Sequence, residues 1–445
     1  MLSAPQDTTD ENSKPRVVVI GGGFGGLEAA KRLASADVDL TLIDRENHHC
    51  FQPLLYQVAT AALSPAEVAW PVRAILRKQA NATVLMAEVT GVDRAARTVQ
   101  AGGKTIAYDY LVVATGATHS YFGHDEWAWV APGLKRIEDA TRIRRAILLG
   151  FECAELTDDV DERVRLLTFL IVGGGPTGVE LAGAISEIAR QTLARDFRRV
   201  DPRSAQIILV EAGPRLLAAF PDDLSGYTRA TLERMGVIVR VNTLVTGLDA
   251  AGADTSEGRI EAATILWAAG VIASAAAAWL GADADRAGRV RVTPGLRLPG
   301  DDRVFVIGDT AAVADPDGKP VPGIAPAAKQ MGQYAGDAIR ADIGGHTHAS
   351  FAYRHQGDLA TIGRKAAVVK IGRLKLTGFL GWLFWSLAHV YFLIGVRNRF
   401  IVALSWAWTY LTFQRGARLV TLQPDLFTLG GKGEPQSAAP VDEAS

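Results

Sequence analysis

Val17-Val18-Val19-Ile20-Gly21-Gly22-Gly23-Phe24-Gly25-Gly26-Leu27-Glu28-Ala29-Ala30 is the stretch whose reading decides the fold. Its β-branched opening makes a short apolar strand of the kind buried on both faces of a parallel sheet. Gly21, Gly23 and Gly26 follow at the spacing G-x-G-x-x-G. Gly21 permits a tight turn, Gly23 lets the backbone approach a pyrophosphate, and Gly26 lets the next helix pack closely on the strand. That helix offers unpaired N–H groups and a positive dipole end to phosphate at its first turn. A second apolar run, Val38 to Ile43, ends in Asp44, eighteen residues after Gly26. A carboxylate at that strand end can accept hydrogen bonds from ribose hydroxyls. Strand, glycines, helix, strand and acid in this order predict a dinucleotide site, where glycines alone would not.

The pattern recurs. Leu166 to Val172 is apolar, Gly173, Gly175 and Gly178 repeat the glycine spacing, and Val179-Glu180-Leu181-Ala182-Gly183 continues as helix. A later strand, Gln206 to Val210, ends at Glu211. Two complete units predict two dinucleotides held side by side. The economical pairing is a flavin with a nicotinamide, because a flavin takes a hydride and passes electrons on. Glu211 favours the 2′-hydroxyl of NADH and repels the 2′-phosphate of NADPH. Arg215, close in sequence, would soften that preference.

The 445 residues are 48% hydrophobic and 21% charged, enough for two or three domains at about 100–200 residues each. A formal net charge of −1 provides no basic face for nucleic acid. The two cysteines, Cys50 and Cys153, form no C-x-x-C for thiol redox work or zinc, and no metal is expected. Residues 1–14 are polar and charged, lack the apolar region of a secretory signal, and read as disordered; residues 430–445 read as a flexible tail.

Three further strand ends carry small-residue turns: Leu111-Val112-Val113-Ala114-Thr115-Gly116, Ile265-Leu266-Trp267-Ala268-Ala269-Gly270 and Val304-Phe305-Val306-Ile307-Gly308-Asp309. With the two glycine motifs they make the chain resemble the flavoproteins with two dinucleotide-binding domains, which include the pyridine nucleotide-disulfide reductases. The resemblance implies an α/β fold of two Rossmann-like domains. It implies that Gly308 and Asp309 contact FAD, that Ala114, Thr115 and Gly116 close the FAD site, and that Gly270 belongs to the NADH site. It also implies a split FAD domain, residues 15–123 and 288–343, with the NADH domain, 166–287, inserted between its parts.

Disulfide reductases need a cysteine pair beside the flavin, and none exists here. The last third points to another acceptor. Leu376 to Val396 and Phe400 to Gln414 contain no Asp, Glu, Lys or Arg and are rich in Trp, Tyr and Phe. No acidic residue lies between Asp358 and Asp425, whereas Arg364, Lys365, Lys370, Arg373, Lys375, Arg397, Arg399, Arg415 and Arg418 are basic. Aromatic belts prefer the membrane interface, and one-sided positive charge suits an anionic lipid surface. Residues 350–426 therefore read as an amphipathic helical region lying on a membrane rather than crossing it. Buried core helices or a dimer interface are the other readings.

Asn47-His48-His49-Cys50-Phe51-Gln52-Pro53-Leu54-Leu55-Tyr56-Gln57-Val58-Ala59 and His389-Val390-Tyr391-Phe392-Leu393-Ile394-Gly395-Val396-Arg397-Asn398-Arg399 narrow this. They resemble segments of bacterial type II NADH dehydrogenases, and the resemblance runs from about Arg16 to Leu426. It implies a single-subunit enzyme passing electrons from NADH through FAD to a membrane quinone, ubiquinone or menaquinone, without proton pumping. It implies a peripheral position on the cytoplasmic face of the bacterial cell membrane, and a homodimer. Tyr56 and Gln57 are implied to line the flavin site. Glu180, Gln330 and Lys365 are the candidate catalytic residues, Glu180 near the flavin–nicotinamide contact and Lys365 near the quinone. The family's Ala-Gln-x-Ala-x-Gln segment reads Ala325-Pro326-Ala327-Ala328-Lys329-Gln330 here, with Pro326 in place of the first glutamine. His48 and His49 lack the i, i+4 spacing of helical metal ligands; they and His389 are expected near the flavin or at the surface. The alternatives left open are an NADH reductase with a ferredoxin or sulfide partner, and a redox signalling protein like apoptosis-inducing factor.

Overall fold

The computed structural model describes residues 14–412 and 415–420; the expectations for residues 1–13 and for the tail 430–445 lie outside them. The strand Arg16–Ile20 is inside a six-stranded sheet ordered Arg297–Leu298, Asp301–Val306, Tyr110–Val113, Arg16–Ile20, Asp39–Asp44, Ala82–Met86. Every neighbouring pair is parallel except the first. Val17 and Val19 enter one core with Leu27 and the helix Ala325–Ile343, while Val18 and Ile20 enter the core on the other face with Val99 and Leu111. Burial on both faces is why the strand shows no alternation.

The second motif builds a parallel sheet ordered Val237–Arg240, Gln206–Val210, Thr168–Val172, Thr264–Trp267. The duplication extends past the glycine motifs. Each unit carries a three-stranded antiparallel meander, Val89–Asp93 to Lys104–Ala107 in the first and Val245–Asp249 to Gly258–Glu261 in the second. Both meanders shift register at the same step, after Val89 and after Val245. Val89-Thr90-Gly91-Val92-Asp93 against Val245-Thr246-Gly247-Leu248-Asp249 is the sequence trace of this repeat.

The two units meet where Ala117–His119 pairs antiparallel with Val271–Ala273. The helix Ile137–Leu156 lies between the segments that the sequence assigns to the two units. It begins where the Asp139 carboxylate accepts from the N–H groups of Lys135 and Arg136, both at 2.9 Å. Its Phe151 packs on Phe169 of the second sheet, ring centroids 5.3 Å apart.

An antiparallel sheet follows, Asp358–Gly363, Ala366–Ile371 and Leu374–Thr377, and after it the helices Gly378–Phe392 and Val396–Thr412. No helix among the described residues is long and apolar enough to cross a membrane.

The helix Pro176–Glu187 is seated on the strand Asp358–Gly363 through Gly183, where a Cβ would run into the carbonyl oxygen of Ile362. Gly226, in the helix Asp222–Arg234, faces open space instead. Gly183→Ala is therefore expected to destabilise by about 1–3 kcal/mol through overpacking. Gly226→Ala is expected to stabilise by about 0.5–1 kcal/mol through helix propensity. Thermal denaturation of the two variants beside the parent checks both signs.

Candidate active site: two nucleotide loops and an aromatic chamber

The first glycine motif opens on a groove lined by Gly21 to Gly25, Asp44, Ala114, Thr115, Gly116, Gly308 and Asp309. The structure thus brings Gly21, Gly23, Asp44, Ala114, Thr115, Gly116, Gly308 and Asp309 together, whereas Tyr56 and Gln57, expected from sequence in the flavin site, line a different cavity. Gly21 turns at φ +104°. Gly26 lies beneath, where a Cβ would collide with the carbonyl oxygen of Gly21. A Cβ on Gly23 would meet nothing within 4 Å, so the space before the helix Phe24–Arg32 is open. Asp44 accepts from the Gly22 N–H and, at 2.7 Å, from the Glu46 N–H, which pins the carboxylate at the strand end. Helix-end donors beside an acid and a glycine turn are what a dinucleotide pyrophosphate and ribose require, and these residues fit one. Ser274 and Thr310 escaped the sequence reading: Thr115 Oγ1 lies 2.6 Å from Ser274 Oγ and 3.3 Å from Thr310 Oγ1. His48, Gln52, His119 and Lys135 line the same groove.

The second loop repeats this geometry. Gly173 turns at φ +112°, and Gly178 is seated over its carbonyl as Gly26 is over that of Gly21. Gly175 faces open space. Glu211 accepts from Gly174 N–H at 2.6 Å and from Gly213 N–H at 2.7 Å. Arg215 is ion-paired with Asp222 and donates to the Ala218 carbonyl at 2.9 Å, so its charge is already met. At Gly270, expected at this site, the carbonyl accepts from Ser120 N–H at 3.1 Å, and a Cβ would press on the Phe122 ring at 2.6 Å.

A second cavity, a chamber, lies between the short helix Leu55–Ala59, the helix Pro176–Glu187 and the two C-terminal helices. Tyr56, Gln57, Glu180, Glu187, Trp382, Trp385, Trp406 and Arg415 line it. Gln57 donates to Tyr56 Oη at 2.8 Å and accepts from Trp406 Nε1 at 2.7 Å, so its amide ties the helix Val396–Thr412 to this wall. Glu180 is deep in the protein yet faces the void. Loss of solvent raises its pKa well above the ordinary carboxylate range, against a smaller pull from the Thr361 backbone hydrogen bond. Burial, then the Glu180 charge, raises Tyr56 likewise.

Sequence reading also missed the buried pair beside Glu180. Arg415, with 5% of its side chain exposed, donates to Glu187 Oε2 at 2.9 Å and to the Thr60 carbonyl at 2.7 Å. Glu187 is seven residues after Glu180, which puts both on one helix face; that spacing was the available signal. In sequence Arg415 is one of a run of basic residues with nothing to mark it as buried.

Two further residues expected at the site lie outside the walls of both cavities. Lys365 is exposed at the hairpin turn after Gly363, at φ +66°, with Nζ 5.1 Å over the Tyr410 ring; the neighbouring Arg364, not Lys365, lines the chamber. Gln330 lines neither cavity. Its amide closes a pair of 2.9 Å bonds with the Arg354 backbone, so both its polar ends are engaged. Pro326 sits in the first turn of the helix Ala325–Ile343, where a missing N–H costs nothing. His389 stacks on Trp385 at 4.0 Å and bonds its carbonyl through Nδ1 at 2.7 Å; burial pushes its pKa down to about 4.

The C-terminal aromatics divide by helix face. Trp385 is 2% exposed, whereas Leu380, Leu387, Tyr391, Phe400, Leu404, Trp408 and Leu411 form stripes at least 60% exposed.

Comparisons with known proteins agree with this geometry. Residues 15–332 match the model of the pyridine nucleotide-disulphide oxidoreductase family, and residues 355–415 that of the NDH2 C-terminal domain. The chain is 44% identical to the type II NADH:quinone oxidoreductase Ndh of Mycobacterium tuberculosis, over 95% of this chain and 94% of that protein. It is 43% identical to NdhA of the same organism, over 92% and 90%. The solved structure of NDH2 from Plasmodium falciparum in complex with NADH superimposes with a TM-score of 0.83 at 20% identity, over 92% of this chain and all of that one, a likeness of fold. The chain belongs to the pyridine nucleotide-disulphide oxidoreductase family and, within it, to the type II NADH:quinone oxidoreductases.

Proposed function

We propose that this chain oxidises NADH at the second nucleotide loop and reduces a membrane quinone in the aromatic chamber, with FAD held in the first groove. The observation that carries this reading is a shared wall. His48, Cys50 and Gln52 line the groove, and Tyr56 and Gln57, a few residues on, line the chamber. The helix Pro176–Glu187 likewise starts at the second loop and ends on the chamber wall. Three sites are thereby joined by two short segments.

FAD, when bound, accepts a hydride and gives two electrons onward. The protein supplies position and protons. The first turns of the helices at Phe24 and Pro176 hold phosphate, and Asp44 and Glu211 hold ribose hydroxyls. The Trp382, Trp385 and Trp406 walls exclude water and take an apolar ring. Quinone reduction consumes two protons with its two electrons. Oxidation of NADH yields one of them; desolvation makes the Glu180 carboxyl, which faces the chamber, hold its proton more tightly than an ordinary carboxyl and places it to supply the other.

The exposed stripes on the helices Gly378–Phe392 and Val396–Thr412, with Lys365, Arg373 and Arg397 exposed around them, support peripheral attachment to an anionic lipid surface. This leads an apolar quinone from the bilayer to the chamber, on the cytoplasmic face of a bacterial membrane. Sulfide chemistry is disfavoured by the Cys50 thiol, which burial pushes up to about 12, leaving no thiolate near neutral pH.

The direct test is a spectrum. Purified protein is expected to show flavin absorbance that bleaches with NADH and returns with a quinone analogue; a colourless, folded protein sinks the proposal. Glu211→Ala is expected to raise KM for NADH about tenfold or more while the flavin stays bound, read from steady-state kinetics beside the absorbance ratio. Glu180 also titrates with stability. Its folded pKa lies above the ordinary value of 4.5, so the stability it contributes is present below that value and is lost as pH rises through the folded pKa. Glu180→Gln is therefore expected to gain stability relative to the parent from about pH 5 upward. Paired thermal melts across pH check this, and a constant difference counts against it.

A further inference from the structure

His49 contacts the first nucleotide loop from its protein side. The ring is 2% exposed on the short strand His48–Cys50, with Nδ1 2.9 Å from the carbonyl oxygen of Gly22 and Phe24 edge-on at 4.9 Å between centroids. A carbonyl only accepts, so Nδ1 carries the hydrogen. Burial pushes the ring's pKa down to about 4, which keeps it neutral and in that one tautomer around neutral pH. Nε2 is buried and has no hydrogen-bond partner among the described residues. A phenyl ring would fill the same space without burying an unmatched acceptor. The bond to Gly22 is therefore the one contact that an imidazole makes here and a phenyl does not.

The bond has a consequence for the next peptide group. In a trans peptide the C=O and the following N–H point in opposite directions. Holding the Gly22 carbonyl against His49 turns the Gly23 N–H away from it, toward the groove that Gly23 lines.

The second loop supplies an internal comparison. Its matching carbonyl, that of Gly174, accepts from the backbone N–H of Leu217 at 2.8 Å. The matching N–H groups, of Gly22 and Gly174, both go to the acid at the strand end. Both loops are thus held by the same two bonds, and the first uses a side chain where the second uses backbone.

We propose that His49 is a positioning residue for the flavin dinucleotide: by donating from Nδ1 to the Gly22 carbonyl it presets the Gly23 N–H toward the pyrophosphate. This rests on the first groove holding FAD.

The test measures the FAD dissociation constant of the full chain and of His49→Phe and His49→Asn, by flavin fluorescence on dilution. His49→Phe is expected to weaken FAD by about tenfold, the order for one hydrogen bond lost from a preset loop. His49→Asn, which keeps an amide donor in reach of the carbonyl, is expected to recover most of that. NAD⁺ affinity, read by tryptophan quenching, should stay unchanged in both, because the second loop has its own backbone donor. An FAD affinity within about twofold of the parent in His49→Phe overturns the proposal, and so does equal weakening in His49→Phe and His49→Asn. If His49→Phe loses NAD⁺ binding and so has not folded, His49→Leu replaces it in the same comparison. A parent protein that binds no FAD refutes the functional reading instead.

Discussion

The contact on which the rest depends is the seat of a helix on a glycine turn. Gly26 sits over the carbonyl of Gly21, and Gly178 over that of Gly173, each too close for any side chain. This brings the helix N-terminus hard against the end of a buried strand and leaves its free N–H groups facing outward. The acid at the end of the neighbouring strand then closes the loop through the second glycine's N–H, Asp44 in one unit and Glu211 in the other. The donors that such a turn can offer to phosphate are therefore backbone groups that packing has already fixed.

Joining the two units demands more than two such seats. The antiparallel pairing of Ala117–His119 with Val271–Ala273 ties the sheets together. The C-terminal sheet then covers the helix Pro176–Glu187, which approaches through the absent side chain of Gly183. Small residues decide these approaches because backbone must meet backbone. The chamber is what remains between the surfaces so joined.

The C-terminal helices serve two purposes with one composition. Their outward faces expose aliphatic and aromatic stripes, while Trp385 and Trp406 turn inward to the chamber wall. Polar contacts hold them: Trp406 to Gln57, Ser405 to Glu67 at 2.9 Å, and Arg415 to Glu187. A buried ion pair contributes little net stability, yet removing one partner costs about 3–5 kcal/mol because the other charge is stranded. Arg415 and Glu187 thereby tie the segment after the last helix to the helix that carries Glu180.

The nucleotide loops were legible in the sequence because every determinant is local. A glycine spacing, an apolar strand and a strand-end acid follow one another along the chain, from Arg16 to Asp44 and from Thr168 to Glu211, and backbone sterics do the rest. The composition of residues 376–412 likewise marked a segment whose two helices carry exposed apolar stripes. Tertiary structure alone decided the chamber. Tyr56, Glu180, Trp406 and Arg415 are distant in sequence and meet only because the sheet 358–377 carries the C-terminal helices back across both units. It also decided which aromatics face inward, which basic residue is buried, and that Gln330 and Lys365 turn elsewhere. Sequence specifies the chemistry that a backbone segment can offer by itself. Side chains from separate segments acquire a shared environment, and with it their protonation and partners, only when packing removes them from water together.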